Sequence, residues 1–139
     1  MQIADFALFT GQRDLAVRTL NEAKTKRIAA QVEHDGRQPR ETDRTKGLSY
    51  SVMNLDGMMQ LAQLGEHVNV DLWNFETKDG RGIRKALDWL IPFASGEKQW
   101  TYEQIEPFKN SDFVPLLRRA AKHYRDGGYQ ALADKLETK

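Results

Sequence analysis

Cysteine is absent from this chain of 139 residues, which excludes disulfides, thiol catalysis and thiolate metal sites together. Long apolar runs are missing as well. No stretch approaches the roughly eighteen apolar residues that span a bilayer, and the N-terminus has no basic region followed by an apolar run of signal-peptide length. The chain is therefore expected to be soluble, with no membrane partner. Charge of one sign is equally scarce, because 21 Lys and Arg stand against 20 Asp and Glu for a formal net charge of +1. Such a balance gives no electrostatic footprint for nucleic acid.

Other absences narrow the chemistry. There is no glycine-rich phosphate loop, no paired-histidine zinc helix and no calcium loop. The three histidines, His34, His67 and His123, have no close histidine partner in sequence, so neither a metal nor a cofactor is expected. His67 and His123 read as polar residues near helix ends, whereas His34 lies in a loop and can exchange protons near neutral pH. The length suffices for one modest core, so residues 1–139 are expected to form a single domain.

What the sequence does contain is helical periodicity. Ile3, Phe6 and Ala7 share one face of a first helix over Met1–Thr10, and Gly11 opens a tight turn. A second helix is expected over Arg13–Val32, burying Ala16, Leu20, Ala23 and Ala30, with Val17 and Ile28 widening the face. Its outer residues Arg13, Arg18, Lys24, Lys26 and Arg27 form either a solvated face or one that attracts an anionic surface.

A third helix is capped by Ser49 or Ser51 and reaches about His67. Val52, Leu55, Met59 and Ala62 recur in it at spacings of three and four, and Met53, Met58, Leu61 and Leu64 adjoin them. Gly57 inside this helix suggests a close backbone contact. Leu72, Trp73 and Phe75 then look like an aromatic plug over the core, although an indole such as Trp73 can also stack on a sugar. A fourth helix carries Ile83, Ala86, Leu87, Leu90 and Ile91, and Pro92 is expected to disrupt or end it. After an irregular stretch over 94–110, Asp112 caps a fifth helix through Tyr124, Pro115 being tolerated in its first turn. Asp126, Gly127 and Gly128 turn the chain into a last short helix with Tyr129, Leu132, Ala133 and Leu136. No strand pattern is visible, so the predicted fold is all-α, built from antiparallel helical hairpins.

The stretch with the most chemistry is 33–51, EHDGRQPRETDRTKGLSYS. Arg37, Arg40, Arg44 and Lys46 are opposed there by Glu33, Asp35, Glu41 and Asp43, with almost no apolar residue between them. A polar loop of that length between helices is either functional or a salt-bridged connector. Within it Arg44 and Tyr50 make a combination: an arginine holds and neutralises a planar carboxylate, and a phenol exchanges a proton. Together they suit abstraction of a proton next to a carboxylate.

The run from Lys24 to Phe93 resembles the C-terminal half of the alginate lyase family, polysaccharide lyases built as incomplete α/α toroids. The similarity extends from about Gln2 through Phe108, and its most specific parts are DGRQP, the Arg-Thr run ending in Tyr50-Ser51, and VDLWNFET with the following DGR. The resemblance implies cleavage of 1,4-linked uronate polymers such as alginate by β-elimination. Tyr50 would stand where the family's tyrosine moves protons at C5 and the departing O4, and Arg44 where an arginine helps neutralise the carboxylate. His34, Arg37, Arg40, Lys46 and Trp73 are substrate-binding candidates.

The family also carries an Asn-Asn-His motif in its preceding half, and often a leucine and a bulky residue where this chain has Arg40 and Ser49. The chain is thus expected to lack the N-terminal half of the toroid and to keep one wall of the groove, with an anionic polyuronate as partner. Full-length relatives would be periplasmic or secreted. Two alternatives stand beside an active lyase: a non-catalytic acidic-carbohydrate-binding module, and a helical scaffold that self-associates as a homo-oligomer to cover an open face.

Overall fold

The computed structural model describes residues 13–43, 47–95, 97–102, 104, 108 and 110–137. The helix expected over Met1–Thr10 and its Gly11 turn lie outside them. Helix α1, Arg13–Ala23, runs directly into a π-helical segment, Lys24–Ala29. The single α-helix expected over Arg13–Val32 is therefore two geometries in series. Ala16, Leu20 and Ala23 face inward as the spacing predicts, but the wider π turn delays the next inward positions to Ile28 and Val32. Ala30, expected in the core, is consequently exposed.

The polar stretch is more ordered than a connector. Pro39 opens a short helix α2, Pro39–Thr42, and helix α3, Gly47–Glu66, begins ahead of either serine expected to cap it. Proline suits the first helical position because its missing N–H would be unpaired there anyway. Helix α3 is the inner element, burying Leu48, Val52, Leu55, Met58, Met59, Leu61 and Ala62. It packs against α1, α2 and the two longer helices that follow. Met53, expected beside that core, is instead 65% exposed. Among the described residues no backbone from another element comes within 4 Å of a Cβ added at Gly57; the Arg27 guanidinium does, at 3.6 Å.

Leu72 and Trp73 close the core from the irregular segment after α3, as expected of a plug, with Phe75 half-buried beside them. Helix α4, Ile83–Ser95, buries Ile83, Ala86, Leu87, Leu90 and Ala94 and continues through Pro92. The expected break is absent for two reasons. The Pro92 carbonyl accepts the Ser95 hydroxyl at 3.3 Å and the Lys98 N–H at 3.0 Å, and Ala94, 2% exposed, anchors the last turn.

A 3₁₀ turn, Asn110–Asp112, leads into α5, Val114–Tyr124, whose N-cap is Phe113 and not Asp112. Arg125, in the left-handed region at φ 54°, ends α5, and α6, Gly127–Glu137, returns antiparallel. Arg118 pairs with Asp134 and Glu137 across this hairpin. Among the described residues the fold is helices and turns with no sheet, and no helix is long and apolar enough to cross a membrane.

Two contacts tie the hairpins together. Gly36 in the turn before α2 has φ +101°, and a Cβ placed there would lie 2.2 Å from the Lys85 carbonyl oxygen and 2.7 Å from Trp89 Cβ. Only glycine lets the turn dock against α4. On the other side of α4, the Tyr129 hydroxyl donates to Asp88 Oδ1 at 2.5 Å and accepts from Arg84 Nε at 3.1 Å, while Arg84 Nη2 meets Asp126 at 2.8 Å. Burial, and then the hydrogen bond to Asp88, push the Tyr129 hydroxyl up to about 12.

Two predictions follow from these contacts. Gly36→Ala combines a disfavoured backbone with an overlap against α4 and should cost about 1–3 kcal/mol or more in urea unfolding; an unchanged midpoint would remove the docking argument. Because the folded protein holds Tyr129 protonated, its contribution is complete below the ordinary phenol pKa of 10.0 and is lost as pH rises toward about 12. Unfolding free energy measured across that alkaline window should fall less steeply in Tyr129→Phe than in the parent.

Candidate functional site

Tyr50 lies in the first turn of α3 and is half-buried. The start of that helix is capped from far along the chain. Gln104 Oε1 accepts the Leu48 N–H at 3.0 Å and the Ser49 N–H at 3.4 Å, and Gln104 Nε2 donates to Ser49 Oγ at 2.9 Å. A side-chain carbonyl thus takes the amides that a helix start leaves unpaired. Trp100 closes the same corner: a Cβ on Gly47 would sit 3.1 Å from its ring.

A second support comes from within the DGRQP turn. Gln38, 1% exposed, donates from Nε2 to the Ser51 carbonyl at 3.1 Å and accepts from Asn54 Nδ2 at 2.8 Å. Asn54 Nδ2 also donates to Gln31 Oε1 at 2.9 Å, and Asn54 Oδ1 accepts from Arg27 at 3.2 Å. The amide chain locks the turn, α1's continuation and α3 into one register on either side of Tyr50.

Arg37 is held by its surroundings. It donates to Thr42 Oγ1 at 3.1 Å, pairs with Glu33 at 3.6 Å and Asp43 at 3.9 Å, and lies 5.3 Å from the centre of the Tyr102 ring. Partial burial opposes its charge, but Tyr102, Glu33 and Asp43 outweigh that and hold the guanidinium above its ordinary range. Tyr102 belongs to an aromatic wall with Trp89, Phe93 and Trp100, whose ring centres are 4.9–6.2 Å apart in the contacting pairs. Arg40 is exposed on α2 with no acidic partner among the described residues. His34 is exposed in the turn, its carbonyl beside Gly80.

His34, Arg37 and Arg40 lie in the turn and on α2, and Tyr50 lies in the first turn of α3, against which α2 packs. Arg44 and Lys46 fall outside the described residues. Trp73 sits elsewhere: it is 3% exposed, its ring stacks on His123 at 4.8 Å, and its carbonyl accepts the Tyr124 hydroxyl at 2.6 Å. His123 in turn reaches Glu66 at 3.4 Å, so Trp73 belongs to the far end of α3, roughly 24 Å of helix rise from Tyr50.

Sequence reasoning passed over Gln104, Gln38 and Asn54, which support the corner, and Tyr102, which holds Arg37. Only the aromatic cluster left a signal, in the W-T-Y run at 100–102.

Chemically, this region offers a phenol at a helix start, one cation fixed by its neighbours and one unspent, with a cluster of mutually tilted aromatic rings beside Arg37. No group of three or more His, Asp or Glu that could hold a metal occurs among the described residues. These features define a class: antiparallel helical hairpins forming part of an incomplete α/α toroid, with a polar corner at the start of its central helix.

Comparison with known proteins makes the class specific. The sequence model of the alginate lyase family matches residues 1–100. The crystal structure of an alginate lyase from Bacteroides ovatus superposes with a TM-score of 0.91 at 37% identity, covering 97% of this chain and 36% of that one. No match was found among curated proteins. The chain belongs to the alginate lyase family, and it spans about a third of the length of the Bacteroides enzyme.

If Gln38 registers this corner, Gln38→Ala should remove the buried donor to the Ser51 carbonyl and one of the two acceptors of the Asn54 amide. The expected loss is about 1–3 kcal/mol in chemical denaturation, and Gln38→Glu should not restore it, since a carboxylate cannot donate to the Ser51 carbonyl. Full stability in either variant would show that the amide chain is dispensable.

Proposed function

We propose that this chain supplies the tyrosine wall of a polysaccharide lyase site that cleaves 1,4-linked uronate polymers such as alginate by β-elimination. The observation that carries the reading is the station of Tyr50: the first turn of the central helix, inside the stretch matched by the family, on the helix against which α2 packs. In the reaction the C5 proton leaves, electrons from the C5–H bond form the C4–C5 double bond, and the C4–O4 bond breaks. The departing O4 then takes up a proton. Tyr50 serves as base, acid or both, according to the stereochemistry of the uronate. Arg44 neutralises the carboxylate, which acidifies the C5 proton and stabilises the charge that develops on the acid group. Arg40, unspent on structure, and His34 are placed to meet neighbouring uronates, while Arg37 acts mainly by shaping the wall.

One observation favours a second reading, binding or self-association without cleavage. Met53, strongly exposed, adjoins Val52, Phe108, Pro115 and Leu116 around a pocket of about 290 Å³. An apolar surface of that kind suits a partner or a second copy.

The readings separate in one assay. Purified protein incubated with alginate should generate the ultraviolet absorbance of an unsaturated uronate, and Tyr50→Phe should lower kcat by about 10²–10⁴-fold. Arg44→Ala should lower kcat as well as raise KM, because the carboxylate charge grows toward the transition state. Saturable alginate binding with no product in the parent would leave the binding module; concentration-dependent mass with neither binding nor product would leave the scaffold.

A further inference from the structure

A second cavity, of about 530 Å³, lies between the far end of α3 and helix α5. Its wall presents Arg118, Arg119, Lys122 and Arg125 against the single carboxylate of Glu66, with the stacked Trp73 and His123 at its back. Asp56, Asp134 and Glu137 hold two of these cations, Arg119 and Arg118, from outside the lining. Lys122 and Arg125 are exposed and have no acidic partner among the described residues. The surface offered to a ligand is thus cationic although the chain as a whole is nearly neutral.

Two further observations say what would occupy it. Trp73 Nε1 is a buried donor with no hydrogen-bond partner among the described residues, in a residue that stands between this cavity and a smaller one lined by Arg84, Asp88 and Tyr124. A buried N–H without an acceptor costs free energy that an acceptor-rich ligand can recover. Secondly, Arg119 also lines the apolar pocket that contains Ser49 and Met53, and Met53 is one turn beyond Tyr50 on the same helix face. A surface track therefore leads from the Tyr50 corner, over Met53 and Pro115, past Arg119 and into the cationic cavity. A compact anion has no use for such a track. A long chain with apolar sugar faces and regularly spaced carboxylates fits it.

We propose that this cavity is an anchor site for the carboxylates of an acidic polysaccharide, roughly 20–24 Å of helix rise from Tyr50. The choice of polyuronate rests on the lyase reading above, but the site itself does not require Tyr50 to be catalytic. Lys122 and Arg125 capture the carboxylate, and Trp73 Nε1 donates to a sugar or carboxylate oxygen. Lys122 and Arg125 fall beyond residue 100, where the family match ends.

The indole N–H resonance of Trp73 reports on the site directly, in a chain with only three tryptophans. Titration of the full chain with uronate oligomers should shift that resonance saturably. The Lys122→Ala/Arg125→Ala double variant should weaken the response by about tenfold, while Tyr50→Phe should leave it unchanged. An unshifted Trp73 resonance, or a shift that survives the double variant, would overturn the proposal. So would a shift reproduced in full by inorganic phosphate at equal ionic strength. If the lyase reading alone is wrong, no unsaturated product forms yet the Trp73 shift and its loss in the double variant remain.

Discussion

The docking of the Gly36 turn on α4 is the contact from which the rest of the site takes its geometry. A turn whose α-carbon must lie within reach of the Lys85 carbonyl has no side chain to absorb error, so its neighbours are fixed in direction as well as position. Arg37 emerges on the side of Tyr102, and Gln38 enters the core toward Ser51 and Asn54. Each such hydrogen bond contributes only about 1 kcal/mol net, but each is costly to leave half-made, and this asymmetry makes a buried amide chain specify one register of α3 against its neighbours. Tyr50 inherits that register.

Charge is distributed by a comparable logic. Arg37, Arg84, Arg118 and Arg119 are engaged by carboxylates or phenols of the protein. Their work is done within the fold, and exposed pairs of this kind add little to stability by themselves. Arg40, Lys122 and Arg125 have no such acidic engagement among the described residues. A net charge of +1 conceals this division. The unspent cations fall at two places, Arg40 on α2 ahead of α3, and Lys122 and Arg125 at the cavity beyond its far end.

The all-α hairpin architecture was legible because the apolar positions of α3, α4 and α5 recur at three and four over more than two turns each. What escaped was geometry that spacing does not encode. The π segment at Lys24–Ala29 moves the inward face by part of a turn, so Ala30, expected inside, is exposed and Val32 is buried. Pro92 stays helical because the carbonyl it contributes is used twice and its last turn is buried. At the start of α3 the Tyr50-Ser51 motif is visible in the sequence, whereas the Gln104 cap is not, since a helix cap supplied from more than fifty residues away leaves no local pattern. Trp73 was visible as an aromatic in a plug; that its faces are taken by packing and its N–H left over could be seen only in three dimensions.

Helix α3 gives these separate features a common scale. It is one uninterrupted element of 20 residues, about 30 Å long, and it packs against α1, α2, α4 and α5, so its two ends cannot move independently of the core. The phenol corner and the cationic cavity are therefore held at a constant separation. A ligand short enough to fill one end gains nothing from the other, while a polymer that reaches both makes its second contact intramolecularly, at an effective concentration set by its own stiffness. A semi-rigid polyanion loses less entropy in bridging two fixed points than a flexible chain does. On the two-site reading proposed above, the helix that positions the tyrosine would also set the length of polymer that the wall selects.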